Sequence, residues 1–436
     1  MSSGNKTLNQ WGLVEAARAI ARREITSVAL VRACLDRIAE RNHEVQAFVA
    51  HDADKALVQA RKVDDSPSTG RLHGIPFAVK DIIDTADYPT SYGSEIYRGH
   101  QPSNDASCVV MARSQGAVLL GKVATGEFAT QTPSKARNPL RLTHTPGGSS
   151  SGSAAAVADF MTPVAFATQT TGSIVRPAVY CGVVGYKPTF DLIAPAGMKA
   201  LSPSQDTIGV IARKVEDAAF FTLGLHGAAT VGDAIFKPRI ALCLSRQWDY
   251  VKPETVRALE SLVHRLEAVG CVVRRSWLHE DLEPLFAIQP RMFMYEARQT
   301  LANERLLNPG CLSPRLSERL LQGKNITYDE YMSMRQQVRE AQQHTEVLFR
   351  DVDAVLYPAA AGEAEEGLAS AGDPRFGALW TLLHLPSVSF PIDMGPNGLP
   401  LGAQLIGRYG QDTRLLATAS AVTRAIECPM NTQSSS

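Results

Sequence analysis

The chain has 436 residues, of which 44% are hydrophobic and 20% charged, and its 44 basic residues balance 44 acidic ones. This composition excludes an intrinsically disordered protein, because disorder needs low hydrophobicity and a high net charge. It also argues against nucleic acid as a partner, since proteins that bind nucleic acid usually carry a basic excess. No apolar run approaches the roughly 18 residues that a membrane helix needs, so the sequence predicts no membrane span.

The cysteines indicate the compartment. There are seven, an odd number, scattered along the chain without a Cys-x-x-Cys pair. Such a set predicts neither a disulfide framework nor a structural zinc site, and it favours a reducing compartment. The N-terminus lacks the basic segment followed by an apolar one that a secretory signal needs. Together these features predict a cytoplasmic protein without a bound metal.

The hydrophobic pattern predicts alternating helices and strands. Apolar residues at helical spacing predict one amphipathic helix over 13–40, another over 106–114 and several more between 253 and 350. Short apolar runs predict buried strands at 75–79, 117–120, 164–167, 354–357, 387–390 and 403–406. This alternation is typical of the α/β class.

No internal repeat or long linker divides the chain, so we expect one domain over residues 1–430. We expect its core at 60–225 and 350–425, with the helical segment 253–350 as an elaboration of it. The polar composition of residues 431–436 predicts a flexible tail.

Two glycine-containing segments match known motifs only in part. Residues 116–123 resemble a phosphate-binding loop, but Val123 stands where that loop needs Ser or Thr to hold Mg²⁺. Residues 148–152 fit Gly-x-Ser-x-Gly, but they lack the preceding apolar strand that the nucleophile elbow of an α/β-hydrolase requires. The plainer interpretations are a turn–strand–turn and a flexible Ser/Gly linker. A Ser-His-Asp arrangement rests only on the proximity of His144 to the second segment.

Three polar residues in separate segments favour a different chemistry. Lys80 ends a predicted buried strand, Ser149 lies in the Gly/Ser segment, and Ser173 lies in a turn that contains glycine. Singly, Lys80 also fits an exposed ion pair with Asp81, and Ser173 fits an ordinary turn. Together they form the Ser-Lys variant of nucleophilic catalysis, in which a lysine of lowered pKa takes a proton from serine. Backbone N–H groups of the turn would hold the oxyanion, and Gly172 would give the turn its torsional freedom.

These residues resemble the amidase signature family, and the resemblance runs through most of the chain. The segments that carry it are 74–81, 102–106, 116–117, 121–122, 127–129, 138–139, 146–154, 173–177, 181–188 and 398–407. The match is good over 26–225 and 350–425 and poor over the helical segment between them. The resemblance implies a single α/β domain whose central mixed β-sheet is covered by helices on both faces.

The resemblance also implies roles for individual residues. Ser173 would be the nucleophile, Ser149 a bridging serine that follows a cis peptide bond, and Lys80 the base. The oxyanion hole would be formed by Thr170, Thr171, Gly172 and Ser173. The substrate-binding residues would be Gly148, Ser150 and Arg176. Ser151 and Ser153 would support this network. The implied reaction cleaves an amide C–N bond through an acyl-enzyme, releases ammonia, and needs no metal or organic cofactor.

Three residues depart from the family pattern. Gln169 stands in place of a usual carboxylate, and Thr171 in place of a glycine, where it would constrain a turn that needed a positive φ. Arg176 sits one place later than usual. That position resembles the malonamidase-like branch, in which an arginine receives the carboxylate of a small anionic substrate through a bidentate fork. A structural ion pair of Arg176 is the alternative.

Several points stay open in the sequence. The expected substrate is a small-molecule amide, and the expected assembly is a homodimer, with the further option of a small partner chain. An amidotransferase A-type subunit that requires partner chains, or a member inactivated by Thr171 and Gln169, would fit as well. The pocket would be shaped by about 270–385. Its candidate lining residues, which equally fit plain core, are Met292, Tyr295 and Trp380. Cys181 is expected to be buried rather than reactive.

Overall fold

The computed structural model describes residues 6–68, 70–227, 235 and 237–427. Within this part of the chain, eleven strands form one mixed sheet and fourteen α-helices surround it. The helices α1 to α14 span Leu13–Ala21, Ser27–Val45, Ala53–Asp64, Ser107–Ser114, Ser151–Ala158, Val175–Tyr180, Val215–Leu225, Pro253–Ala268, Leu285–Thr300, Ala302–Leu307, Pro314–Gln322, Tyr328–Gln343, Arg375–Leu382 and Asp412–Glu427. The strands β1 to β11 span Phe48–His51, Pro76–Lys80, Val118–Val123, Val164–Gln169, Val184–Lys187, Thr207–Ala212, Arg239–Leu244, Val272–Trp277, Ala354–Pro358, Ser387–Met394 and Pro400–Ile406.

The strand order brings two strand ends together at one edge of the sheet. The order is β1-β3-β2-β4-β6-β5-β10-β11-β9-β7-β8. Strand β2 runs parallel to both β3 and β4, with Ala78 opposite Ala165 and Val79 opposite Phe166. Parallel neighbours end at the same edge, so the last residues of β2 and β4, Lys80 and Gln169, lie close together. In α/β sheets the carboxyl ends of strands are the usual place for a ligand site.

Helices cover both faces of this sheet because successive strand side chains point to opposite faces. Phe77 and Val79 pack into one buried apolar cluster together with residues of α4, α7 and α14. Ala78, between them, packs into a second cluster with residues of α2, α3 and α5. The predicted α/β domain with a mixed sheet covered on both faces is confirmed.

The run of small residues in α5 lets this helix approach the sheet closely. A Cβ on Gly152 would stand 2.2 Å from the backbone nitrogen of Ala124, so only glycine fits there. The side chains of Ala154, Ala155 and Ala156 are fully buried against the strands. This packing places the start of α5, and the serine-rich segment before it, beside the carboxyl ends of β2 and β4. The flexible-linker interpretation of that segment is therefore wrong.

The six predicted strands are confirmed as β2, β3, β4, β9, β10 and β11. The single helix predicted over 13–40 is wrong, because the chain forms two helices, α1 and α2. The break occurs at Arg23, whose φ is 58°, and the Thr26 side chain then caps α2 by accepting the N–H of Ala29 at 3.1 Å. Apolar residues keep their helical spacing across this break, so the sequence pattern did not reveal it.

The segment 253–350 is also not wholly helical. Strand β8 lies within it and pairs in parallel with β7 at the edge of the sheet. Its residues are all exposed or half-buried, and it lacks the apolar run that marked the other strands. The predicted tail at 431–436 lies outside the described residues, as do 428–430. Over the residues described, no helix has the length and apolar character needed to cross a membrane.

Candidate active site

Lys80 lies at the carboxyl end of β2 with its side chain fully buried. Its Nζ is 2.8 Å from Oγ of Ser149 and 2.7 Å from Oγ1 of Thr168. Burial lowers the pKa of Lys80 well below its usual range, while the nearby Asp206 carboxylate acts in the opposite direction. A lysine in this state can be neutral and accept a proton. The alternative of an exposed pair with Asp81 is wrong, because Asp81 is buried and pairs with Lys122 at 3.0 Å.

Ser149 lies in the segment that precedes α5, and the peptide bond between Gly148 and Ser149 is cis. Its carbonyl accepts the N–H of Gly126 at 3.2 Å, and the next residue, Ser150, donates its N–H to the carbonyl of Ser173 at 3.4 Å. The segment is therefore tied both to the loop after β3 and to the turn after β4. This arrangement brings all three predicted catalytic residues to one place.

Neighbouring serines hold this segment against β4. The Ser150 hydroxyl donates to the carbonyl of Thr168 at 3.1 Å and accepts its N–H at 3.3 Å. The Ser153 hydroxyl donates to the carbonyl of Phe166 at 3.0 Å, and Ser151 shares a hydrogen bond of 2.6 Å with Ser134. The supporting role expected for Ser151 and Ser153 in the catalytic network stays a prediction. The Ser150 hydroxyl thus both donates to and accepts from the backbone of Thr168. Substrate binding by Ser150 stays a prediction.

The turn after β4 contains the predicted nucleophile and oxyanion hole. Ser173 is half-buried, between the strand end and α6. Among the described residues, the N–H groups of Thr171, Gly172 and Ser173 donate to no acceptor. Free N–H groups beside a serine hydroxyl could hold a negatively charged oxygen. The Thr170 hydroxyl instead donates to Oδ1 of Asp206 at 2.5 Å, which fixes the start of the turn.

Gly172 is needed in this turn because another loop passes close to it. The role in torsional freedom that was expected for Gly172 is wrong. Neither Thr171 nor Gly172 has a positive φ, so threonine meets no backbone strain at position 171. A Cβ on Gly172 would stand 2.7 Å from the carbonyl oxygen of Pro374, because the loop 371–374 passes directly over the turn. The turn therefore tolerates threonine at 171 and requires glycine at 172.

Gln169 replaces the usual carboxylate and still fixes the backbone of the turn. Its Oε1 accepts the N–H groups of Ile174 and Val175 at 2.8 and 3.1 Å, at the start of α6. Its Nε2 donates to Oγ1 of Thr381 at 2.9 Å. A neutral amide thus satisfies the helix start that a carboxylate would otherwise satisfy. Neither departure gives a structural reason for inactivity.

Arg176 lies on α6 with only 2% of its surface exposed. Its Nη2 donates to the carbonyl of Gly148 at 2.5 Å, while Nε and Nη1 are buried without a hydrogen-bond partner. Burial lowers the pKa of this guanidinium, and Tyr180 and Asp373 partly offset the effect. Within the described part of the chain Arg176 forms no salt bridge, so the structural ion pair is wrong. The buried guanidinium of Arg176, beside Gly148, therefore has two nitrogen atoms, Nε and Nη1, without an acceptor among the described residues.

A cavity of about 310 Å³ adjoins the turn at Thr171. The helical segment supplies one wall and the loop before α13 supplies another. The residues that line the cavity are Gln131, Thr171, Gln247, Phe286, Gln289, Pro290, Phe293, Arg319, Asp373, Pro374, Arg375 and Ala378. Asp373 already pairs with Arg375 at 2.5 Å, so Arg319 gives the cavity a net positive charge. The predicted contribution of the region about 270–385 to a pocket at this site is consistent with this lining.

The three pocket residues expected from the sequence lie elsewhere. Met292 and Trp380 are buried in an apolar cluster, and the ring of Tyr295 stacks on that of Tyr331 at 4.1 Å. Their apolar character therefore marked core packing, as the alternative interpretation held. The residues of α9 that do line the cavity are Phe286, Gln289, Pro290 and Phe293, which face a different side of the helix from Met292.

Other candidate chemistry is excluded or displaced by the structure. Gly121 and Lys122 lie inside β3, and Lys122 is buried, so residues 116–123 form no phosphate-binding loop. The ring of His144 contacts the Thr143 hydroxyl at 3.0 Å and, among the described residues, forms no hydrogen bond with a serine, which contradicts a Ser-His-Asp arrangement. Cys181 is buried as predicted, and burial raises the pKa of its thiol. The described residues contain no group of three His, Cys, Asp or Glu side chains that could hold a metal.

Sequence reasoning missed four residues that contact the site. Thr168 directly follows a predicted strand, and the alignment of parallel strand ends could have identified it as a partner of Lys80. Asp206, Gln289 and Thr381 contact the turn at Thr170, Thr171 and Gln169 from distant segments. Their positions depend on how the helices pack, so no local pattern marks them.

One edge of the mixed sheet carries a buried lysine, a serine-rich segment and a turn whose N–H groups are free among the described residues. Comparison with known proteins identifies the chain as an amide-cleaving hydrolase. The chain belongs to the amidase family, whose model matches residues 29–416. It is 31% identical over 489 aligned positions to the A subunit of the glutamyl-tRNA(Gln) amidotransferase of Anaeromyxobacter sp. (strain K), with 98% of each chain covered.

Solved structures agree with this assignment. The fold is similar to that of a crystal structure of an amidase, with a TM-score of 0.88, 27% identity and coverage of 95% of this chain and 99% of the other. It is also similar to the native peptide amidase of Stenotrophomonas maltophilia, with a TM-score of 0.80, 26% identity and coverage of 96% and 97%. The predicted family and enzyme class are confirmed.

Proposed function

We propose that this chain hydrolyses the C–N bond of a small, carboxylate-bearing amide through a Ser-Ser-Lys triad. The observation that carries the proposal is the 2.8 Å contact between Lys80 Nζ and Ser149 Oγ, made by a buried lysine of lowered pKa. The hydrogen bond from the Ser150 N–H to the Ser173 carbonyl supports Ser173 as the third member. The contacts support Lys80 as base, Ser149 as bridge and Ser173 as nucleophile.

The proposed reaction moves one proton along this triad. Neutral Lys80 takes the proton of Ser149, Ser149 takes the proton of Ser173, and Ser173 Oγ attacks the amide carbonyl. The free N–H groups of the turn hold the oxyanion that forms. Ser149 then gives a proton to the leaving nitrogen and recovers one from Lys80, so the C–N bond breaks, ammonia leaves and Ser173 carries the acyl group. Water attacks the ester, and its proton returns to Ser173 along the same path.

Arg176 supports a substrate with a negative charge close to the scissile bond. A buried guanidinium without an acidic partner is costly, and a carboxylate bound by its free Nε and Nη1 would compensate that cost. Through Nη2, Arg176 also contacts Gly148, directly before the bridging serine. We place the chain in the malonamidase-like branch on this basis.

A second candidate function comes from the relatives. The similar protein of Anaeromyxobacter sp. (strain K) is named as one subunit of an amidotransferase, so this chain would need partner chains to act in the same way. The two candidates differ in what the isolated chain can do. A free-standing amidase, as a monomer or the expected homodimer, would release ammonia alone, whereas a subunit would need its partner.

The test is ammonia release by the purified chain from malonamate, succinamate, acetamide, phenylacetamide and glutamine. Ser173→Ala should abolish the release, whereas the matched variant Ser389→Ala should retain it. Ser389 is buried in β10, and its hydroxyl donates to the carbonyl of Val175 at 3.1 Å. Release that persists in Ser173→Ala would contradict the proposed nucleophile. No release by the isolated chain would favour the partner-dependent subunit.

A further inference from the structure

Thr171 combines two features that the proposed reaction does not use. It occupies a position where the family has glycine, and its side chain lines the 310 Å³ cavity beside the turn. The hydroxyl accepts a hydrogen bond of 3.0 Å from Nε2 of Gln289, which is buried on α9. A residue of the helical segment therefore fixes a side chain of the proposed oxyanion turn.

A chain of hydrogen bonds determines which way this hydroxyl points. It begins at the carboxylate of Glu296, which can only accept, and which receives the Ser202 hydroxyl proton at 2.8 Å. Because the Ser202 hydroxyl donates its proton to Glu296, the Ser202 oxygen accepts from Nε2 of Gln205 at 2.9 Å. Oε1 of Gln205 then accepts from Nε2 of Gln289 at 2.8 Å. The amide nitrogen of Gln289 thereby faces the Thr171 hydroxyl at 3.0 Å and the Thr170 carbonyl at 3.4 Å, and the Thr171 oxygen accepts the shorter of these two hydrogen bonds.

Thr171 is left as a hydrogen-bond donor. Its oxygen accepts from Gln289, and its own proton finds no acceptor among the residues that the structure describes. The backbone around it is fixed as well, since the Thr171 carbonyl accepts the Thr381 hydroxyl at 3.1 Å. The hydroxyl therefore has a proton to donate beside the cavity, next to the N–H groups proposed to hold the oxyanion.

We propose that Thr171 is a specificity-determining residue, whose hydroxyl donates to an acceptor oxygen on the part of the substrate that occupies this cavity. The inference rests on the proposed function and names a feature of its substrate, a carbonyl or carboxylate oxygen beyond the scissile amide. Arg319 also lines this cavity, which favours a carboxylate over a neutral oxygen. In a substrate with one carboxylate, such as succinamate, one oxygen would accept from Arg176 and the other from Thr171. An amide whose far end is purely apolar would displace water from the Thr171 proton without replacing that hydrogen bond, which disfavours its binding.

Three amides of nearly equal shape test this inference. Succinamate ends in a carboxylate, succinamide in a neutral carboxamide, and 4-methylpentanamide in an isopropyl group. In the unmodified chain we expect kcat/KM to fall in that order. Thr171→Val keeps the shape and removes the donor, so the ratio of kcat/KM for succinamate to that for 4-methylpentanamide should fall roughly tenfold or more. Thr171→Ser keeps the donor and should keep the ratio.

Gln289→Glu provides a second variant that leaves Thr171 intact. A carboxylate at 289 would accept the Thr171 proton and turn it away from the cavity. Because its negative charge would also repel succinamate, the two neutral amides are compared here, and the kcat/KM ratio of succinamide to 4-methylpentanamide should fall. A merely structural role of Thr171 would lower kcat/KM equally for all three amides in Thr171→Val, and that result would overturn the inference. Equal ratios in Thr171→Val and Thr171→Ser would overturn it as well.

Ligand binding separates this inference from the proposed triad. Succinate binding, measured by calorimetry, needs no turnover and therefore does not depend on the nucleophile. We expect Thr171→Val to bind succinate roughly tenfold more weakly than Thr171→Ser. Equal affinities, or no binding by the unmodified chain, would contradict the inference even if the triad were established. Loss of turnover in Ser173→Ala with succinate affinity retained would support both.

Discussion

The two sides of the site are built differently. On one side, Lys80, Ser149 and Ser173 come from strand ends and adjoining turns of the buried sheet, and Lys80 and Ser149 are almost fully enclosed. On the other side, the cavity wall is formed by α9, α11 and the loop before α13, and Arg319 there is only half-buried. The chemical groups are thus held by rigid elements, whereas the groups that select a substrate lie on helices outside the central sheet. This difference predicts that the two sides respond differently to substitution.

The largest effect is expected on the sheet side, from Lys80→Met. Loss of the base should lower kcat/KM by roughly 10³-fold or more, measured by ammonia release. Lys187→Met is the matched control, because Lys187 is also buried in a strand, its pKa is lowered by burial to about 7, and its Nζ donates to the Pro188 carbonyl. Both variants remove a buried amine, so similar losses in the two would mean that Lys80 acts through stability alone.

The next effect tests the boundary between the two sides. Arg176→Leu should lower the kcat/KM ratio of succinamate to 4-methylpentanamide by roughly tenfold to a hundredfold, because the carboxylate loses its charged partner. Arg213→Leu is a suitable comparison, since Arg213 is another arginine whose pKa is lowered by burial, and its Nη1 donates to the carbonyl of Thr162 at 3.2 Å. If Arg176→Leu reduced turnover of both amides equally, the carboxylate role would be wrong.

A smaller effect concerns the pH dependence of the sheet side. Lys80 is active when neutral, so kcat/KM should be constant above the pKa of Lys80 and fall as pH decreases through it. Asp206 raises this pKa through its negative charge, against the larger effect of burial. Asp206→Asn should therefore move the acid limb to lower pH, by about one unit or less. A limb that stays in place, or moves to higher pH, would contradict this electrostatic role of Asp206.

The smallest effect compares the stability of the two regions. Thr26 caps α2 beside the sheet, and Thr327 caps α12 in the helical segment by accepting the N–H of Glu330 at 3.2 Å. Replacing either threonine with alanine should lower the free energy of unfolding by about 1 kcal/mol, measured in urea. Both should shift the same transition if the helical segment and the sheet unfold together. A separate early transition in Thr327→Ala alone would show that the segment unfolds independently.

The sheet side of the site could be predicted from the sequence because its signals are local. Apolar runs marked β2 and β4, and the residues at their ends, Lys80 and the turn to Ser173, followed directly. The close packing of α5 was also visible as a run of small residues. Arg176 was recognised as well, although its burial without an acidic partner could not be foreseen.

The cavity side could not be predicted in the same way. Met292 and Gln289 lie on the same helix, yet only Gln289 reaches the cavity, because the tilt and rotation of α9 decide which residue does. Strand β8 was missed for a related reason, since an edge strand half-open to solvent needs no apolar run. Thr171 was noticed only as a departure from a pattern, and its partner Gln289 lies more than a hundred residues away.

The most direct test of the triad is labelling by a fluorophosphonate, which needs no knowledge of the substrate. An activated serine attacks phosphorus and releases fluoride, and peptide mass spectrometry then locates the adduct. The triad predicts a single adduct on Ser173, strongly reduced in Lys80→Met and in Ser149→Ala but retained in Lys187→Met. An adduct on another serine, or labelling of Ser173 that is unchanged in Lys80→Met, would contradict it.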